Sequence, residues 1–187
     1  MRHKNLFVIL LLIPAAMWSQ VSPDFAKNRD ETVRNLQALV RIDTSNPPGN
    51  ETKAAEYIKS VFDKEGIPSE IFALDRNRAN LVARIKGNGK KRPLLLMGHT
   101  DVVGVEREKW TVDPFGGVIK DGYLYGRGAV DDKDNAAVAM QILLMLHRQK
   151  TPLDRDVIAL FEAGEEGTTK PGIEYMVKEH WDQRSRD

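Results

Sequence analysis

Pro93-Leu-Leu-Leu-Met-Gly-His-Thr-Asp101 decides the architecture. Its first five residues form a short apolar run with no polar alternation, the pattern of a strand buried on both faces. The run stops at glycine, and polar groups follow at once, His99 and Asp101. A second such stretch, Asp156 to Ala163, stops the same way at Gly164-Glu165-Glu166-Gly167. Between the two lies a helical segment starting near Asp134 and Asn135 and running to about Gln149. It is apolar nearly all round, from Ala136 through Met140 to Leu146. It is too short to span a membrane, so it belongs in a protein interior.

Working outward, Asp30 to Ile42 reads as an amphipathic helix with Val33, Leu36 and Val40 on one face, and Glu51 to Glu65 as a second, closed by Gly66. The breaker cluster Asp43-Thr-Ser-Asn-Pro-Pro-Gly-Asn50 must be a loop. Ser69 to Leu74, Asn80 to Lys86, Val118 to Ile119 and Tyr123 to Tyr125 read as strands, and Pro171 opens a last helix reaching about His180. Buried strands alternating with helices indicate an α/β fold: three layers, α/β/α, around a largely parallel mixed sheet.

Composition narrows the function. The 187 residues carry 28 Lys and Arg against 27 Asp and Glu, without the basic excess of a dedicated nucleic-acid binder. There is no cysteine, so disulfides, thiolate metal sites and a cysteine nucleophile are excluded. Any metal must be held by His, Asp and Glu. At the N-terminus, Arg2, His3 and Lys4 precede an uncharged, mostly apolar run from Leu6 to Trp18. This is the layout of a secretory signal over residues 1 to 20, and it implies a secreted or periplasmic protein with no stable span after cleavage. A retained N-terminal membrane anchor is the alternative.

In open α/β sheets, ligands bind beyond the carboxyl ends of the strands. His99 and Asp101, Asp131 and Asp132, and Glu165 and Glu166 all fall at such positions. Taken singly, each has an ordinary explanation as a capping pair or a solvated turn. Taken together, several carboxylates beside one sheet edge need a positive partner, and a divalent metal supplies one.

With these residues the chain resembles the dinuclear zinc exopeptidase and deacylase family, which includes glutamate carboxypeptidase, acetylornithine deacetylase, succinyl-diaminopimelate desuccinylase, aminoacylase and the carnosine dipeptidases. The matching stretches are Leu95-Leu-Met-Gly-His-Thr-Asp-Val-Val103, Trp110-Thr-Val-Asp-Pro-Phe115, Asp121-Gly-Tyr-Leu-Tyr-Gly-Arg-Gly-Ala-Val-Asp-Asp-Lys133 and Phe161-Glu-Ala-Gly-Glu-Glu-Gly167, with the earlier Ile42-Asp-Thr-Ser-Asn-Pro-Pro-Gly-Asn-Glu51 loop. The resemblance implies two Zn²⁺ ions, with Co²⁺ or Mn²⁺ as substitutes. It makes His99 a ligand of one zinc, Asp101 its orienting partner, Asp131 the bridging carboxylate, Glu166 a ligand of the other zinc and Glu165 the general base. It also implies a cis peptide between Asp131 and Asp132. The expected reaction is hydrolysis of an amide bond in a small peptide or N-acyl amino acid.

The same resemblance implies two further ligands later in the chain, a carboxylate and a histidine, and an inserted domain used for homodimerisation. His147 and His180 sit near helix C-termini, where a favourable dipole is reason enough for them. Residues 21 to 187 are therefore expected to form the amino-terminal portion of a metallopeptidase-like catalytic domain, with an incomplete site and little activity alone. A secreted, non-catalytic binding domain on the same scaffold is the alternative, and metal content distinguishes the two.

Overall fold

The computed structural model describes residues 24–180. The export segment expected at residues 1 to 20 lies outside them. Helix α1 (Phe25–Val40) begins where Asp24 accepts a hydrogen bond from the Lys27 amide at 3.0 Å. It therefore starts before the expected Asp30, because Asp24 is a cap and nothing between it and Asp30 breaks a helix. The following loop carries a two-residue strand, β1 (Ser45–Asn46). Helix α2 (Glu51–Glu65) has the expected bounds and buries Ala54, Ala55, Ile58 and Phe62 along one stripe. Gly66 ends it in the left-handed region, at φ 73°.

Strands β2 (Ser69–Asp75) and β3 (Arg78–Ile85) form a hairpin. Then come β4 (Leu94–His99), the short β5 (Val102–Val103) pairing parallel with β1, and a second hairpin of β6 (Val118–Lys120) and β7 (Tyr123–Tyr125). Helix α3 (Lys133–Arg148) leads to β8 (Val157–Glu162), and a wide helical turn at Lys170–Glu174 leads into α4 (Tyr175–His180). Among the described residues, no helix is long and apolar enough to cross a membrane.

The main sheet has the order β2-β3-β8-β4. It is mixed, as expected, but the parallel share is smaller: β2 with β3 and β3 with β8 run antiparallel, and β4 with β8 runs parallel. The reason is local, since the tight turn before Arg78 forces β3 back along β2. One sheet face meets α1, α2 and α3 through a core containing Leu39, Phe62, Leu81, Met140, Leu144 and Phe161. The other is covered by the Lys170–His180 segment, where Met176 packs on Phe72, Val82, Ile158 and Leu160.

Two burial expectations need correction. All six β8 residues are buried, but among the described residues β4 is an edge strand, with Leu94 44% and Met97 41% exposed. α3 is sandwiched between α1 and the sheet with its third side outward, so Val138 is exposed rather than buried. The parallel β4–β8 pair is what positions the site. Its register sets His99 opposite Glu162, so the residues after both strands leave the sheet side by side.

Candidate metal centre

His99 ends β4 and is 7% exposed. Its Nδ1 lies 3.1 Å from the Asp101 carbonyl oxygen and 3.3 Å from Asp101 Oδ1. Its Nε2 lies 3.1 Å from Asp131 Oδ1 and 3.9 Å from Glu165 Oε2. Burial disfavours the charged ring, but the hydrogen bonds and charge of Asp101 outweigh it and push the His99 pKa up to about 9. With Asp101 on the Nδ1 side, Nε2 faces the carboxylates.

Asp101 is fully buried and works in two directions. Besides meeting the His99 ring, it accepts the Glu165 amide at 3.0 Å on Oδ1, and the Glu166 amide at 3.0 Å and Asn46 Nδ2 at 3.2 Å on Oδ2. Arg78 Nη2 stands 3.6 Å from Oδ2. Three N–H donors and a guanidinium offset the cost of burying this charge. Asn46 also donates to the Glu166 carbonyl, so the Asp43–Asn50 loop is docked onto the turn after β8.

That turn depends on Gly164, at φ 153°, where a Cβ would stand 2.7 Å from the Thr168 carbonyl oxygen. It projects Glu165, more than half exposed, and Glu166, whose pKa is raised by partial burial and by the Asp131 charge. Asp131 is largely exposed and reaches His99 from the start of α3. The Asp131–Asp132 peptide is cis, as the resemblance implied. Asp132 accepts the His99 amide at 3.2 Å on Oδ2, tying the head of α3 to the end of β4.

All five expected site residues therefore lie in one neighbourhood. His99, Glu165 and Glu166 each offer a ligand atom within 4.8 Å of the others, and Asp131 touches His99 Nε2. His180 is occupied elsewhere: its Nε2 is 2.9 Å from the Tyr175 hydroxyl and its ring lies 4.5 Å from that of Phe72.

Sequence reasoning passed over a second ring of buried polar residues. Glu51 and Arg78 form a two-point ion pair, at 3.0 and 3.2 Å. Burial raises the Glu51 pKa. Lys133 is fully buried and donates to the Leu39 and Ile42 carbonyls, at 3.1 and 2.8 Å, at the end of α1. Burial pushes its pKa down to about 8. Glu162 is buried beside His99. Its pKa is pushed up to about 7, by burial first and by the Asp101 and Glu165 charges after. Its Oε2 has no hydrogen-bond partner among the described residues. Glu51 and Lys133 stand inside the motif stretches and could have been singled out there. Arg78 gives no local signal, because its partner is 27 residues away.

An imidazole nitrogen with converging carboxylates is a nitrogen and oxygen donor set that suits a divalent ion such as Zn²⁺. The excess of negative charge from Asp131, Glu165 and Glu166 points the same way. The residues present fit the group.

The pattern of peptidase family M20/M25/M40 matches residues 95–186. A probable succinyl-diaminopimelate desuccinylase of Staphylococcus aureus is 40% identical over 139 residues, 73% of this chain and 33% of that protein. The chain thus spans about a third of the length of such curated relatives, 33% here. Human carnosine dipeptidase 1 shares the fold with a TM-score of 0.68 at 21% identity, over 84% of this chain and 37% of that one. A Bacillus subtilis protein described as a dinuclear metal-binding peptidase of the M20 family gives 0.63 at 17% identity, over 87% and 42%. By its sequence, the chain belongs to peptidase family M20/M25/M40.

Proposed function

We propose that this chain contributes the His99, Asp131, Glu165 and Glu166 side of a two-zinc centre that hydrolyses an amide bond in a small peptide or N-acyl amino acid. The observation that carries the reading is the convergence of His99 Nε2 with the carboxylates of Asp131, Glu165 and Glu166. His99, Asp131 and Glu166 would hold the ions. Bound zinc would polarise the scissile carbonyl and lower the pKa of water from about 15.7 towards about 7.

The chain's own residues do the rest. Asp101 holds the imidazole on its Nδ1 side, which turns Nε2 towards the site. Asp101 also fixes the Glu165 and Glu166 amides, which sets where the two carboxylates start. Glu165, open to solvent, takes the proton of the attacking water and returns it to the leaving amine. The proposal includes export through residues 1 to 20 and a homodimer of the whole enzyme.

The test uses a protein carrying the full ligand set, assayed on dipeptides and N-succinyl amino acids with zinc or cobalt added. Glu165→Gln is expected to lose about 10²–10⁴-fold in kcat while zinc content holds. Wild-type turnover in Glu165→Gln would show that the base lies elsewhere.

A further inference from the structure

His99 and the Glu165–Glu166 turn come from different strands, and Asp101 is the carboxylate that joins them. Its own placement then governs the geometry of the centre. Behind it stands Arg78, the first residue of β3, 8% exposed. Its Nε and Nη2 grip Glu51 at 3.0 and 3.2 Å, and Nη2 also faces Asp101 Oδ2 at 3.6 Å. Glu51 is wholly buried at the start of α2. The longer distance to Asp101 makes that contact a charge interaction, not a hydrogen bond. Glu51 takes the fork, and Asp101 keeps its oxygens for the ring, the two backbone amides and Asn46 Nδ2.

The loops around the guanidinium leave space for it. At Gly49 a Cβ would stand 2.6 Å from Arg78 Nε and 2.8 Å from Glu51 Oε1. At Gly164 it would stand 3.3 Å from Arg78 Nη2. One glycine belongs to the loop before α2 and the other to the turn that carries Glu165. The arginine is thus enclosed by both segments that dock on Asp101. A lysine keeps the charge but has no fork with which to hold two acids in fixed directions.

We propose that Arg78, held by Glu51, is a positioning residue of the metal centre: it fixes Asp101, which in turn fixes the His99 ring and the Glu165–Glu166 backbone. Its consequence for metal rests on the hydrolase reading, whereas its consequence for the turn does not.

The experiment uses the full chain and the variants Arg78→Met, Arg78→Lys and Glu51→Gln, with His99→Ala as a control for zinc. Two quantities are read: amide hydrogen exchange without metal, and the Kd for Zn²⁺. The Glu165 and Glu166 amides are expected to exchange at least about tenfold faster in Arg78→Met, with Leu81 and Leu160 in the sheet unchanged. Zinc affinity is expected to fall at least about tenfold, with Arg78→Lys intermediate in both. A merely structural pair would lower the melting temperature and speed exchange across the sheet, without singling out the turn. Should Arg78→Met not fold, Arg78→Lys and Glu51→Gln carry the test. Folded variants with turn exchange within twofold of wild type and unchanged zinc affinity overturn the proposal. Fast turn exchange, in a protein that carries the full ligand set yet shows no His99-dependent zinc binding, supports the Arg78 contact and overturns the hydrolase reading alone.

Discussion

Arg148 closes α3 and ties three helices together, so its removal gives a prediction that can be worked through. Its guanidinium meets Glu31 of α1 at 2.6 and 2.9 Å and Glu65, the last residue of α2, at 3.1 and 2.7 Å. The Glu31 pKa falls from 4.5 to about 2, with the Arg148 hydrogen bond the largest cause. The Glu65 pKa falls as well, for the same reason. At about 1.4 kcal/mol per pH unit, the Glu31 shift alone corresponds to about 3 kcal/mol. The three side chains are 33%, 21% and 29% exposed, and solvent screening cuts this to about 1–2 kcal/mol. Arg148→Met is therefore expected to lose about 1–2 kcal/mol in urea unfolding at pH 7. Because the folded pKa is depressed, the contribution is fully present above pH 4.5 and is lost as pH falls through about 2. The gap between wild type and variant should be flat from pH 6 to 8 and should shrink below pH 4.5. A gap under about 0.3 kcal/mol at neutral pH, or one that does not shrink in acid, refutes the clamp.

Two further substitutions probe the frame around the site. Gly128 has φ +82°, and a Cβ there would stand 2.7 Å from Val102 Cγ1 and 3.0 Å from Lys133 Cδ. Gly128→Ala should cost about 2–4 kcal/mol in denaturant unfolding, and a variant as stable as wild type would contradict the crowding. Phe161, 1% exposed with its ring 6.0 Å from that of Phe62, should cost about 3–5 kcal/mol as Phe161→Ala. A loss below about 1 kcal/mol would mean that β8 is not the centre of the sheet.

The elements that the sequence announces are those whose signals are local. Gly66 stops α2 because a left-handed residue is needed there, and the hydrophobic stripe from Ala54 to Phe62 is a pattern within one helix. The residues of the candidate site were legible as a group because each follows an apolar strand or opens a helix, and strand ends place them together. What was not legible depends on contacts between distant residues. Leu94 to Met97 have the composition of a strand buried on both faces, yet among the described residues the strand lies at the sheet edge. The direction of β3 depends on a turn, not on its apolar residues, so the antiparallel half of the sheet was underestimated. Arg78 and Glu51 were missed because nothing in a charged residue's immediate neighbours shows that its partner is buried with it. Asp24 was missed as a cap because the reading began at the first strongly periodic residues.

The central claim is that the ends of β4 and β8 and the head of α3 together hold a pair of divalent ions. X-ray absorption at the zinc edge, on a protein carrying the full ligand set and loaded with zinc, tests it most directly. The account predicts one imidazole nitrogen at about 2.0–2.1 Å and carboxylate oxygens at about 2.0–2.2 Å, with binding lost in His99→Ala and weakened in Asp131→Asn and Glu166→Gln. Zinc that does not bind, or that binds equally well without the His99 imidazole, would contradict it.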